Sequence, residues 1–494
     1  MSWPQLNGVL VRLPRLSARF LAGFVVSVLL GLLAGLLVEP HAGARSVAPE
    51  DASGSAGAGD SYYPLDGNGG YDVAHYDIHD TWRIRTGSLS GWTDVSAIAT
   101  QSLSSFHLDL VLAVDSVTVD GRSATYTRDG VHELVVTPAV PLVPGQRFVV
   151  RVAYHGRPAG IGYGGEKPFS TDGHETMATN EPHIAPWWYP ANDHPSDKAT
   201  FDITVRVPAG RQVISNGRLV RHVVAGHWAS WHWRMSRPMA TYLAFFAAGG
   251  FRIERGVHDG LPWLDAVSRE YGKPAQLDAL RLMRRSSGIV SWLQTQFGRY
   301  PFGSTGGLVT GIFTGFALEN QGRPTYPFFG SGREARSTVV HELAHQWFGD
   351  EVSVQRWRDI WLNEGFATWA EWRYAETHGG ERAQHRLQRE YAARPASRPF
   401  WRLVVADPGP DHLFDAPVYD RGAMALQALR HRIGTTRFLR LLRTWASQHA
   451  YGNATVEQFE SLAEQESGQQ LDDFFTAWLH TGSRPARVDG SGLR

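Results

Sequence analysis

His341-Glu342-Leu343-Ala344-His345 is followed, after eighteen intervening residues, by Glu364. On a helix, residues four apart project from one face, so the two imidazoles converge on one ion. Glu342 points to one side, free to act on the ion's water instead of the ion. Gly349 is a helix-stop signal, and a new helix beginning near Asn363 returns Glu364 as a third ligand. Three protein ligands leave one tetrahedral position open, the mark of a catalytic zinc site with one ion per chain. Closed structural zinc sites are usually rich in Cys, and this chain has none. Zinc lowers the pKa of a bound water to about 7. Glu342 is then placed to take that proton as general base and return it to a leaving amine, which suits hydrolysis of an amide.

A tetrahedral intermediate also needs a donor for its oxyanion. Tyr419, in Val418-Tyr419-Asp420-Arg421-Gly422-Ala423, is the candidate. Spacing alone equally allows a packed Tyr at a helix start. Two further carboxylates draw attention, Glu319 in Phe316-Ala317-Leu318-Glu319-Asn320 and Glu181 in Asn180-Glu181-Pro182. Each taken alone reads as a surface Glu. If both face the metal, they form an anionic pair suited to a free α-ammonium group, and the substrate is measured from its N-terminus.

These residues need a scaffold, and the pattern along the chain supplies two kinds. From Tyr71 to about Gly250 the period is that of β-structure. Phe106, Leu108, Leu110 and Leu112 alternate with other residues, as do Phe201, Ile203, Val205 and Val207. Asp120-Gly121 is a turn signal between two such runs. An antiparallel saddle or sandwich is expected over 61–257. After about Val257 the period becomes helical, with helices expected at Ala275–Phe297, Ser337–Phe348, Asn363–His378, Ala423–Ile433, Thr436–His449, Val456–Gln465 and Leu471–Leu479. The fold class is therefore α+β and multidomain, with a mostly α domain over 258–494.

The 494 residues suffice for two or three domains. Lys+Arg and Asp+Glu are equal at 48 each, so no global field favours nucleic acid or an anionic membrane. Zero Cys excludes disulfides and thiol chemistry. Arg12, Arg15 and Arg19 precede an uncharged run from Phe20 to Val38, and Ala42-Gly43-Ala44 follows as a small-x-small cleavage pattern. Residues 1–44 read as a signal peptide or an uncleaved signal anchor, since the apolar run is just long enough to span a bilayer. Either way the chain is expected outside the cytoplasm, secreted or attached to the outer face of the membrane. Residues 45–60, small and polar, read as a flexible linker.

From Tyr71 to Leu479 the chain resembles a gluzincin aminopeptidase of the aminopeptidase N and leukotriene hydrolase family. The resemblance lies in His341–Asp350 (the zinc signature), in Trp361–Glu371 (the third-ligand helix) and in Trp188-Tyr189-Pro190-Ala191-Asn192-Asp193-His194-Pro195 with Lys198-Ala199-Thr200-Phe201. It implies a β-saddle followed by a thermolysin-like zinc metallopeptidase domain acting on peptides with free N-termini. It also implies that Glu319 and Glu181 bind the substrate amine, that Ala317 and Asn320 belong to the substrate site, and that Tyr419 stabilises the transition state. Glu371, two helical turns after Glu364, reads as a carboxylate backing a metal ligand or as a solvated helix charge.

Three positions depart from the family pattern. Phe316 replaces the usual Gly, Leu318 the usual Met, and Thr179 a frequent Gln. The long C-terminal helical domain of large members is not present in this sequence, and a more open cleft is expected. Two other functions fit the same residues: a zinc endopeptidase or other zinc hydrolase, and a non-catalytic binding protein on an enzyme scaffold.

Overall fold

The computed structural model describes residues 52–493 apart from Phe329. The expected leader, including Phe20–Val38, and residues 45–51 of the expected linker lie outside the described residues. Among the described residues no helix is long and apolar enough to cross a membrane.

The first half is built on an eight-stranded sheet. Its order is Arg218–Ala225, Trp228–Met239, Ala199–Pro208, Tyr71–Arg83, Ser88–Ala99, Arg147–Gly156, Ala113–Val119 and Arg122–Ser123. All neighbours run antiparallel except Tyr71–Arg83 and Ala199–Pro208, which pair in parallel with His75 opposite Thr200. The alternation in Ala199–Pro208 buries Phe201, Ile203, Val205 and Val207 on one face. Asp120 and Gly121 both adopt positive φ, 50° and 75°, and close a two-residue hairpin between Val119 and Arg122. Two smaller sheets pack on this saddle. One joins Phe106–Asp109, Glu133–Thr137 and Thr125–Asp129, and the other joins Gln212–Ser215, Phe246–Gly249, Thr176–Ala178 and Phe169–Thr171.

The β pattern continues past residue 257. The strand Phe251–His258 pairs with Leu261–Ser268, which runs parallel to Thr305–Thr310, itself beside Thr325–Pro327. Helices follow: α1 (Lys273–Met283), α2 (Ser286–Phe297), α3 (Arg333–Ala344), α4 (Trp361–Thr377), α5 (Ala383–Ala393), α6 (Gly422–Ile433), α7 (Thr435–Gln448), α8 (Val456–Ser467) and the short α9 (Asp472–Phe475). The single helix expected over 275–297 is two, interrupted at Arg284 and Arg285. The expected helix 337–348 starts four residues earlier and ends at Ala344. There the chain turns, with Asp350 N–H donating to His345 O and Gly349 N–H to Val352 O, and Gly349 takes φ 130°.

Residues 52–60 correct the linker reading. Gly54 N–H donates to Ser105 O at 2.9 Å, and Asp60 is 4% exposed. The Asp60 carboxylate accepts from the backbone N–H of Trp357 at 2.8 Å and lies 3.2 Å from His194 Nε2. Small residues here allow close approach to neighbouring backbone, so low side-chain bulk signals packing and not freedom.

The 188–201 segment joins the β half to the metal-site region through Lys198. Its buried ammonium donates to Asp350 O (2.7 Å), Glu351 O (3.0 Å) and Gly452 O (3.3 Å). Burial pushes this lysine down to about 7, against the pull of Asp350 and Glu351.

Candidate active site

Helix α3 carries His341 near its end, and His345 caps it with helical dihedrals, so the four-residue spacing still aligns the rings. Their centroids are 4.7 Å apart. Helix α4 is buried on nearly every side through Trp372, as a helix threading a core must be, and Glu364 lies in its first turn. Glu364 Oε2 is 3.1 Å from His341 Nε2 and 3.5 Å from His345 Nε2.

The outer ring nitrogens are held from behind. His341 Nδ1 is 2.9 Å from Glu371 Oε1, and Glu371 also accepts from the Ser337 hydroxyl. His345 Nδ1 is 3.0 Å from Phe348 O. With both Nδ1 atoms held from behind, both Nε2 atoms face Glu364. Glu371 thus stands behind a ligand histidine and is not a solvated helix charge.

This donor set fits zinc. A tetrahedral ion with bonds of about 2.0–2.1 Å has ligand–ligand edges of about 3.3 Å, and the two observed edges, 3.1 and 3.5 Å, bracket that value. The electrostatics also call for a cation. Burial raises the Glu364 carboxyl, but His345 and His341 outweigh it and hold it at about 2. Burial opposes protonation of His345, yet the Glu364 and Glu319 carboxylates carry it up to about 9. The imidazoles thus borrow protons to balance carboxylates that a dication would neutralise directly.

Glu181, Phe316, Ala317, Leu318, Glu319, His341, Glu342, His345, Glu364, Phe414 and Tyr419 line one cavity of about 250 Å³. Glu342 is 5% exposed. Burial pushes its carboxyl up to about 8, only partly offset by His341 and His345, and a dication alongside lowers that value. Glu319 accepts from the Tyr242 hydroxyl at 3.2 Å. Its backbone O accepts from Gln346 Nε2 at 2.8 Å, which fixes it to the end of the metal helix. Glu181 Oε1 is buried without a hydrogen-bond partner. Burial, then the charges of Glu319, Glu364 and Glu342, push Glu181 well above the carboxylate range.

Tyr419 lies in a π-helical turn, Pro417–Arg421, leading into α6. Its ring is near-parallel to that of His341, with centroids 6.0 Å apart. Burial and the surrounding Glu364, Glu181, Glu319 and Glu342 raise its pKa well above the usual phenol value, so it remains a donor. Two glycines make this placement possible. A Cβ on Gly422 would meet Gly365 Cα at 2.9 Å, and one on Gly365 would meet Gly422 Cα at 3.0 Å. Helices α4 and α6 therefore touch backbone to backbone, one residue after Glu364 and three after Tyr419.

Asn320 corrects its expectation, since it does not line the cavity. Its buried side chain donates to Leu243 O at 3.1 Å and accepts from Thr179 Oγ1 at 3.0 Å and Thr325 Oγ1 at 2.9 Å. It braces the turn that presents Glu319, and Thr179 is part of that brace. Phe414, Tyr242, Ser337 and Gln346 were not anticipated. Gln346 sits inside the zinc signature and offered a signal; Phe414, in an irregular stretch, offered none.

Two domain families match the chain in succession. The Peptidase M1 N-terminal domain matches residues 75–243, and the Peptidase family M1 domain matches residues 294–478. A crystal structure of the M1 zinc metallopeptidase from Deinococcus radiodurans, bound to a Tyr-Ser-Ala substrate, superposes with a TM-score of 0.77 at 28% identity, covering 87% of this chain and 100% of that one. Rice aminopeptidase M1-B is 29% identical over 337 residues, 62% of this chain and 37% of the rice protein. Aminopeptidase N of Streptomyces lividans is 29% identical over 311 residues, 58% of this chain and 36% of that protein. The chain thus spans about a third of the length of these curated relatives.

A β-saddle feeding a helical domain with a two-histidine, one-glutamate zinc set defines a zinc metallopeptidase. The chain belongs to the M1 peptidase family.

Proposed function

We propose that this protein is a zinc-dependent aminopeptidase that removes residues from the free N-termini of peptides outside the cytoplasm. The observation that carries this reading is the placement of Glu181 and Glu319 in the metal-site cavity, with Glu181 Oε1 buried and unpartnered. An unpaired buried carboxylate oxygen is costly. An α-ammonium group seated between the two carboxylates supplies the missing donors and the counter-charge.

His341, His345 and Glu364 would hold the zinc, which when bound polarises the scissile carbonyl and acidifies water. Glu342 accepts a proton from the attacking water as its oxygen adds to the carbonyl carbon. Tyr419 donates a hydrogen bond to the oxygen that gains negative charge. Glu342 then passes the proton to the leaving nitrogen as the C–N bond breaks. Glu181 and Glu319 line the same cavity of about 250 Å³ as the metal-site residues, and an amine held by them would limit cleavage to terminal residues.

Export rests on Arg12, Arg15 and Arg19 ahead of Phe20–Val38 and on Ala42-Gly43-Ala44. Cell fractionation checks it: recovery only in the cytoplasm overturns this part. The activity is tested with a panel of fluorogenic aminoacyl substrates, each with its N-acetylated counterpart, with and without a chelator. The free-amine substrates should be cleaved and the acetylated ones spared. Equal cleavage of both, or cleavage at internal bonds that persists in Glu319→Ala, establishes an endopeptidase instead.

A further inference from the structure

A second cluster of metal-ligating side chains lies in the β half, outside the catalytic cavity. Asp109 ends the strand Phe106–Asp109 and Glu133 begins Glu133–Thr137, and the antiparallel register places them directly opposite each other. His132 immediately precedes Glu133. All three are buried, at 1%, 2% and 4% exposure for Asp109, Glu133 and His132, and their donor atoms lie within 4.8 Å of one another.

Each carboxylate has one oxygen held by a donor on its far side and one turned toward His132. Asp109 Oδ2 accepts from Asn68 Nδ2 at 3.0 Å and from Asp193 N–H at 2.7 Å. Glu133 Oε2 is 3.0 Å from His107 Nδ1. The opposite oxygens, Asp109 Oδ1 and Glu133 Oε1, are buried without a hydrogen-bond partner. Both face the same nitrogen: His132 Nε2 is 3.3 Å from Glu133 Oε1 and 3.8 Å from Asp109 Oδ1. Leu65 O lies 3.2 Å and the Tyr163 hydroxyl 3.4 Å from that nitrogen. No arginine or lysine forms an ion pair with these carboxylates among the described residues.

We propose that Asp109, His132 and Glu133, with the carbonyl of Leu65, form a second metal site that binds a zinc-like divalent cation. Ligand oxygens oriented by donors on their far side are how proteins present carboxylates to metals. The three separations from Nε2, 3.2 Å to Leu65 O, 3.3 Å to Glu133 Oε1 and 3.8 Å to Asp109 Oδ1, lie around the tetrahedral edge of about 3.3–3.6 Å for bonds of about 2.0–2.2 Å, with Asp109 standing slightly outside it. The imidazole favours zinc over calcium or magnesium, which take oxygen ligands. The ion would tie the residue 65 segment to both strands, far from any role in hydrolysis.

The competing occupant is a proton on His132, and metal counting separates the two. His345→Ala removes a catalytic ligand, so any zinc that the full-length variant retains after equilibration with zinc chloride and gel filtration must sit elsewhere. We expect about two zinc ions per chain in the wild type, one in His345→Ala and none in His345→Ala/Glu133→Gln. Retention in His345→Ala needs no change at the new site, so a folding defect cannot imitate it. No zinc in His345→Ala, or one ion still bound in the double variant, overturns the proposal. Displacement by equimolar calcium overturns the assignment to a nitrogen-binding metal.

Discussion

Glu371 accepts a hydrogen bond from His341 across 2.9 Å, two helical turns beyond Glu364 on the same helix. One helix therefore supplies both a metal ligand and the group that orients another. Removing that support with Glu371→Ala should weaken zinc binding about 10- to 100-fold. Competition against a chromogenic chelator measures it; unchanged affinity would show that ring packing alone orients His341.

In the proposed mechanism Glu342 acts on the attacking water and not on the ion. Glu342→Gln should retain zinc and lower kcat by about 10²- to 10⁴-fold. Metal analysis beside steady-state kinetics checks both halves, and loss of zinc would reassign Glu342 to the ligand set.

Tyr419→Phe deletes the hydroxyl that, in the proposed mechanism, donates to developing charge. We expect kcat to fall about 10²- to 10³-fold with KM and zinc content nearly unchanged. A raised KM with normal kcat would instead make Tyr419 a ground-state contact.

Gly422→Ala puts a methyl group 2.9 Å from the Gly365 Cα, where no side chain can swing aside. Stability should drop by about 1–3 kcal/mol. Activity should fall too, because the turn that carries Tyr419 runs directly into the helix that moves. Full activity with lowered Tm would show that the turn at 417–421 absorbs the shift.

His183 supplies a pH dependence. Its Nε2 is 2.6 Å from Asp66 and its Nδ1 3.3 Å from Glu166, with Tyr63 edge-on to the ring. Burial opposes protonation, but the two carboxylates outweigh it and raise the pKa well above the usual imidazole value. The folded chain thus keeps a proton that the unfolded chain releases above about pH 6.5. The resulting stability is complete below that pH and is lost as pH rises through the folded pKa. In zinc-saturated urea unfolding, His183→Gln should cost about 2 kcal/mol more at pH 6 than at pH 9. Equal costs at both would mean the histidine is neutral throughout.

The candidate zinc ligands were legible because a helix imposes a four-residue period that the sequence displays openly, and the β-saddle because Phe201 to Val207 alternate without interruption. What escaped had non-local causes. Asn320 sits in a motif next to Glu319, yet its side chain turns to Thr179, 141 residues away in sequence. The helix break at Arg284 carries no glycine or proline to announce it. Asp109 and Glu133 meet only through strand register, which neither residue's neighbours reveal. The low side-chain bulk of residues 52–60 read as slack, although it serves close packing.

That last segment sets a limit on N-terminal truncation. Asp60 reaches the backbone of Trp357, four residues ahead of the helix that bears Glu364. Ser104 N–H donates to Ala52 O and Gly54 N–H to Ser105 O, each at 2.9 Å, so trimming from the N-terminal side costs contacts from Ala52 onward. Cutting beyond Asp60 would take away the carboxylate that holds the Trp357 backbone, so a truncated chain that still works should begin before it.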